Sequence, residues 1–180
     1  MITTQENKLI YTFNQETVLI EPWGKNAIRV RAIKQAAFPE ENWALTQPCT
    51  HSCTITQADH YAQLENGKLT ARITTGGKLT IYHADGRKLL EEYARNRRDV
   101  LDPKCSAIEV EAREFRPILG GDYHLTARFE SLDPNEKIFG MGQYQQPYLN
   151  LKGADLELAH RNSQASVPFL LSSLGYGLLW

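Results

Sequence analysis

The sequence predicts an all-β sandwich. Three observations carry that prediction. Apolar and polar residues alternate with a period of two, the runs are short and separated by Gly- and Asp-bearing turns, and no stretch sustains a helical stripe.

The elements follow in order. Thr17-Val18-Leu19-Ile20-Glu21 is the first strand-like run, and Pro22-Trp23-Gly24-Lys25-Asn26 carries turn chemistry. In the next run, 27–33, Ile28, Val30 and Ala32 face one way and Arg29 and Arg31 the other, the pattern of a half-buried strand. Runs 68–74 and 78–83 flank Thr75-Gly76-Gly77, and Asp85-Gly86 separates the second from 88–93. Glycine accepts the positive φ of a tight turn, so these read as consecutive hairpins, with Leu69, Ala71 and Ile73 on one face and Leu79 and Ile81 inward on the partner. Residues 89–98 also fit a helical stripe, but the stripe stops after Tyr93. The stretch therefore reads as a strand running into an exposed, charged excursion over 94–104. Strands resume at 107–112 and 123–129, the second preceded by Gly120-Gly121-Asp122. Asp133-Pro134-Asn135-Glu136 is a turn, and the chain closes on an apolar run from Val167 to Trp180.

Length and charge bound the possibilities. At 180 residues, the chain suits one domain or a domain with an appendage, and falls short of the roughly 250 residues of a (β/α)₈ barrel. A net charge of −1 argues against nucleic acid or an anionic membrane as a bulk partner. No apolar run approaches the roughly 20 residues of a membrane-spanning helix. The polar start and the odd count of 3 cysteines predict a reduced, cytoplasmic protein.

Candidate chemistry is sparse. Cys49, His51, Cys53 and His60 invite a metal reading. On an extended strand, however, Cys49 and Cys53 would stand about 13 Å apart, too far for one zinc, and the expectation is no metal. Gly140-Met141-Gly142-Gln143 has the start of a dinucleotide fingerprint without its third glycine, and reads as a kinked or closely packed β segment. Asp155 and Glu157 form a same-face carboxylate pair, the type of pair that flanks a glycosidic bond, although a solvated strand face has the same pattern. Tyr144 and Tyr148 with Gln143, Gln145 and Gln146 make a polar-aromatic patch suited to sugars, which offer CH faces and hydroxyls. His160-Arg161-Asn162-Ser163-Gln164 interrupts two apolar runs, 156–158 and 167–169, as a polar loop between strands. No nucleophile elbow, zincin motif or phosphate loop is present.

The last third of the chain carries a family resemblance. Lys137-Ile138-Phe139-Gly140-Met141-Gly142-Gln143 resembles the "F/Y-G-L-G-E/Q" segment of glycoside hydrolase family 31, and Asn150-Leu151-Lys152-Gly153 its "N/D-L-R-G" step. Ser166 to Trp180 is similar to its "S-I-P-F-L-I-S-S-R-G-Y-G-x-x-W" run. Gln143, together with 156–162 in place of a "W-N-T-D" loop, looks most like bacterial α-xylosidase or α-glucosidase members.

The resemblance implies a galactose-mutarotase-like β-sandwich that precedes a (β/α)₈ barrel in the same polypeptide. The barrel carries both catalytic Asp residues, and the whole enzyme hydrolyses α-linked xylosides or glucosides with retention. It implies that a sandwich loop, here 160–164, reaches the substrate site, making His160, Arg161, Asn162, Gln143 and Tyr144 the candidate substrate contacts. The relatives' loop Asp falls near Asn162, whose amide cannot supply the same charge. Neither catalytic carboxylate motif lies within the chain, so no residue is assigned a catalytic role and no cofactor is expected. The expected partners are an α-glycoside and the barrel. The apolar end also predicts self-association of this portion alone. A stand-alone carbohydrate-binding module using Tyr144, Tyr148 and the 160–164 loop is the alternative. A mutarotase-like epimerase, with His83 or His124 as the acid, is a third reading.

Overall fold

A computed structural model describes residues 1–46, 52–99 and 102–180. These form fourteen strands and no helix, in two compact units, Met1–Glu130 and Ser131–Trp180.

The first unit contains two antiparallel meanders. One runs β1 (Ile2–Gln5), β2 (Lys8–Phe13), β3 (Glu16–Pro22) and β4 (Ile28–Lys34) in spatial order. The other runs β5 (Thr54–Gln57), β6 (Tyr61–Asn66), β7 (Leu69–Thr74), β8 (Leu79–His83) and β9 (Lys88–Glu91). The consecutive hairpins expected around Gly76-Gly77 and Asp85-Gly86 are β7–β8 and β8–β9. Leu9, Tyr11, Val18 and Ile20 from the first sheet meet Ala62, Leu64, Ala71, Ile73 and Leu79 from the second in one buried cluster. Each large apolar side chain so buried contributes roughly 1.5–3 kcal/mol. A hairpin of β10 (Arg113–Pro117) and β11 (Tyr123–Ala127) completes the unit, with the Phe115 and Tyr123 rings edge to face at 5.9 Å.

The first sheet shows why its early strands are hard to read from the sequence. In β2, Leu9 and Tyr11 point into the core, yet Ile10 between them is also apolar; in β3, Leu19 lies between Val18 and Ile20. The register opposes Ile10 to Leu19 and Leu19 to Arg31, so these residues share the face away from the core. That face is itself covered, and Leu19 is buried there. Two covered faces erase the alternation that marks a half-exposed strand.

An ionic network lies beside the core. Arg113 Nε donates to Glu16 at 2.6 Å, Nη2 donates to the Gly77 carbonyl at 2.9 Å, and Nη1 pairs with the buried Glu92 carboxylate. The Leu79 N–H donates to the same carboxylate at 2.9 Å. Burial alone would depress the guanidinium; Glu92 and Glu16 overcome it and hold Arg113 charged, with its pKa above the ordinary arginine value. A buried charge is tolerated when it is paired and its hydrogen bonds are filled, as here.

Two expected strands are absent. Residues 107–112 alternate in sequence, but among the described residues only Val110 forms a β-bridge, exchanging backbone hydrogen bonds with Arg95, while Ala112 accepts a single bond from the Arg128 N–H. The Ser106 hydroxyl accepts from the Ile108 N–H and bends the chain, leaving Ile108 exposed. Residues 156–158 form no strand either, because the Ala159 N–H turns back onto the Glu157 carbonyl at 3.0 Å. The 160–164 loop therefore leads into a strand but does not join two, and Asp155 and Glu157 have no sheet to align them.

The second unit is a three-stranded antiparallel sheet of β12 (Ile138–Gln143), β13 (Ala165–Ser172) and β14 (Tyr176–Leu179). Val167, Phe169 and Leu171 alternate along β13 and remain exposed, as do Leu179 and Trp180.

Candidate substrate-side site

The β12–β13 pairing builds the candidate site. Gly140 opposes Leu170, but Gly142 opposes Ser166, so the register shifts across Met141, with the extra residues, 167–169, on β13. Gly140, Met141 and Gly142 have φ of 96°, 64° and 113°. At Gly142 a Cβ would stand 2.1 Å from the Ala165 carbonyl oxygen, so close strand approach demands glycine there. The glycine pair is the packed, kinked β segment the sequence suggests, and no helix follows it.

The bulge delivers Gln143 opposite Ala165, beside the loop that enters β13. Tyr144 follows, half-buried, with its hydroxyl 3.0 Å from both the Met141 carbonyl, to which it donates, and Ser166 Oγ. Its phenol thus braces the bulge, while Gln143 and Tyr148 are exposed.

The loop is a tight turn in its own right. The Gln164 N–H donates to the Arg161 carbonyl at 3.0 Å, and Ser163 adopts a left-handed φ of 65°. Arg161 pairs with Glu157, four residues earlier, and both are exposed. The Ser166 N–H approaches His160 Nδ1 at 3.4 Å, a weak contact that turns the imidazole toward the strand entry. Asn162 is exposed at the turn's apex. The structure therefore brings Gln143, Tyr144, His160, Arg161 and Asn162 to one end of one sheet, as neighbours through register and not through sequence. The arrangement offers amide, imidazole and guanidinium groups to a polar ligand, with Tyr144 holding the frame. Arg161 already compensates Glu157, so that carboxylate is a charge partner within the loop.

The other candidates separate. Cys49 and His51 lie outside the described residues. Cys53 Sγ donates to the Asn7 carbonyl at 3.7 Å, and among the described residues no three His, Cys, Asp or Glu side chains cluster as metal ligands. His83 lies in β8, 2.9 Å from Asp85 at the hairpin turn, whereas His124 lies in β11 of a different sheet. The buried Arg113–Glu92–Glu16 network had no sequence signal, because its members are up to 97 residues apart.

The fold recurs in known proteins. Residues 17–180 match the family described as Glycosyl hydrolase 31 N-terminal galactose mutarotase-like domain. An uncharacterized family 31 glucosidase, ORF2, of Pseudescherichia vulneris is 46% identical over 97% of this chain and 34% of its own length. Alpha-xylosidase A of Aspergillus niger is 28% identical over 92% of this chain and 24% of its own. The crystal structure of a family 31 α-xylosidase from a soil metagenome, complexed with xylose, superposes with a TM-score of 0.93 at 43% identity, covering all of this chain and 28% of that one. The chain thus spans about a third or less of the relatives' length, and in them the matched segment is part of a longer polypeptide. It belongs to the N-terminal galactose-mutarotase-like domain family of glycoside hydrolase family 31.

Proposed function

We propose that this domain serves a retaining α-glycosidase that removes terminal α-xylosyl or α-glucosyl residues, by supporting a (β/α)₈ barrel and lending the 160–164 loop to the substrate side. The observation that carries this reading is the convergence of Gln143, Tyr144 and the 160–164 turn at one sheet end, within a chain that superposes along its whole length on a xylose-bound α-xylosidase. The exposed row of Val167, Phe169 and Leu171 supports the buttress role, since an apolar sheet face of this kind marks a contact surface. Arg161 and Asn162 act through binding and orientation, while both catalytic carboxylates come from the barrel. The same reading places the protein in the cytoplasm, on its odd cysteine count.

A chimera tests it. This chain replaces the matching segment of the soil-metagenome α-xylosidase, and hydrolysis of an aryl α-xyloside is measured. The chimera is expected to turn over, the 180-residue chain alone is not, and Arg161→Ala or Asn162→Ala in the chimera is expected to raise KM more than it lowers kcat. A folded chimera indifferent to both substitutions would remove the loop's role. Turnover by the chain alone would remove the accessory role.

A further inference from the structure

We propose that the outer face of the β1–β4 sheet is a second carbohydrate site, one that takes a neutral, polyhydroxylated sugar chain and is built from other residues than the 160–164 loop. The site is a cleft of about 520 Å³, within the usual size of small-molecule sites, roughly 300–1,000 Å³. Its floor is the sheet face opposite the core, and the segment around Phe38, Pro39 and Asn42 covers it.

The polar groups in this cleft are incompletely satisfied. Glu21 is only 8% exposed, and register places it directly opposite Arg29. Arg31 Nη2 stands 3.1 Å from Glu21 Oε1 and Arg29 Nη1 3.6 Å away, yet that oxygen accepts no hydrogen bond among the described residues. Arg31 Nε and Asn42 Oδ1, atoms of two residues that line the same cleft, are also buried without a hydrogen-bond partner among the described residues. Leaving a buried polar atom unmet costs roughly 1–3 kcal/mol, so three in one cleft point to an absent binding partner.

The identity of the unmet groups selects the ligand. Two are acceptors and one is a donor. A hydroxyl both donates and accepts, so vicinal hydroxyls can satisfy all three. An ionised carboxylate only accepts, and a phosphate, though it can carry a P–OH, brings negative charge against the Glu21 carboxylate. Two aromatic rings flank the polar groups: the Arg29 guanidinium lies 4.7 Å from the Trp23 ring centroid, and Arg31 lies 4.9 Å from that of Phe38. Rings beside amide, carboxylate and guanidinium groups match the CH faces and hydroxyls of a pyranose.

The rim is rigid. Trp23 begins the β3–β4 turn, closed by its N–H donating to the Ala27 carbonyl at 2.9 Å. Buried Asn66 donates to the carbonyls of Gly24 and Ala27 at 2.8 and 2.7 Å, and the Lys68 N–H donates to Asn26 Oδ1 at 3.0 Å. A Cβ at Gly67 would stand 2.1 Å from the Lys25 carbonyl oxygen, so the β6–β7 turn clamps the β3–β4 turn at van der Waals distance. A preformed wall lowers the entropy lost on binding. Arg31 Nη1 also donates to the Pro39 carbonyl at 3.2 Å, tying the covering segment to the sheet.

The test follows the indole N–H resonance of Trp23 in the ¹⁵N-labelled 180-residue chain, assigned with Trp23→Phe, as isomaltotriose is added. A saturable shift is expected, weakened about tenfold by Glu21→Gln and by Asn42→Ala, the change that one lost hydrogen bond to a buried group produces. Tyr144→Phe combined with Asn162→Ala should leave it unchanged. If Glu21→Gln fails to fold, Asn42→Ala, in the covering segment, carries the test. No shift up to the solubility limit overturns the proposal. So does a shift insensitive to both cleft substitutions, a shift abolished by the loop pair, or a response to inorganic phosphate but not to isomaltotriose. The loop's role is read separately, from KM in the chimera, so failure of either leaves the other standing.

Discussion

Burial differs sharply between the two units. In Met1–Glu130, two sheets meet over nine buried hydrophobic residues, and charged groups beside them are paired, as in Arg113 with Glu92 and Glu16. In Ser131–Trp180, Leu151 is the one buried hydrophobic residue, and the apolar side chains of β13 stay exposed. The second unit's buried positions are instead polar: Glu136 accepts from the Tyr176 hydroxyl at 3.0 Å, and Ser172 bonds to the same carboxylate. The contrast separates a self-contained core, whose faults are costly everywhere, from a sheet held by register and local hydrogen bonds, whose apolar face is free to serve association.

The largest effect should come from the buried charge. Arg113→Met leaves Glu92 uncompensated and is expected to cost about 3–5 kcal/mol by urea unfolding; adding Glu92→Leu should recover part of that loss. No recovery would mean that the network is a packing element and not an electrostatic one.

Next comes the bulge in the second unit. Gly142→Ala forces a side chain into a left-handed φ and against the Ala165 carbonyl, costing about 1–3 kcal/mol of strain before any clash. Limited proteolysis should then nick residues 131–180 while sparing the core strands, and uniform protection would erase the distinction between the units.

A pH profile sharpens the comparison further. In the first unit, burial would raise the Glu91 and Asp102 carboxyls, but hydrogen bonds from Lys88 and Lys78 to Glu91, and from Lys78 to Asp102, outweigh it and hold both pKa values below the ordinary range. A depressed folded pKa contributes stability above the unfolded value and loses it as pH falls through the folded one. The urea midpoint should therefore drop below about pH 4, and Lys78→Met should flatten that limb. In the second unit, burial and then Glu136 push the Tyr176 hydroxyl up to about 12. Its raised value contributes stability below the unfolded pKa near 10 that is lost above the folded one. Burial also raises the Tyr11 hydroxyl in the first unit, so absorbance at alkaline pH should show late-titrating tyrosine, and Glu136→Gln should bring down only the Tyr176 share.

The smallest thermodynamic effect belongs to the exposed row. Val167→Thr with Leu171→Thr should change stability by no more than about 0.5 kcal/mol per site. It should nevertheless reduce self-association measured by light scattering, as expected for a contact surface.

Legibility followed the same division. The β7–β8–β9 hairpins were readable because each strand has one covered face and a glycine-bearing turn. The β1–β2 hairpin was not, because Ile10, between Leu9 and Tyr11, lines a second, covered face and the alternation vanishes. Residues 107–112 alternate without becoming a strand, since among the described residues only Val110 forms a β-bridge, with Arg95, and Ala112 accepts one isolated bond from the Arg128 N–H. At the loop site, the residue types were visible in sequence, whereas their meeting depended on the Gly140–Gly142 register shift. The outer-face cleft left no trace, because Glu21, Arg31 and Asn42 look like ordinary surface residues until the covering segment buries them.

The sequence by itself determined the all-β class, several hairpins and the family, because local periodicity, turn chemistry and ordered motifs are written in neighbouring residues. Tertiary structure alone decided which charges are buried together, which apolar face stays open and which polar atoms go unmet. Those properties depend on residues far apart in the chain, as Glu16 and Arg113 are, and on the low-dielectric, close-packed surroundings that only folding creates.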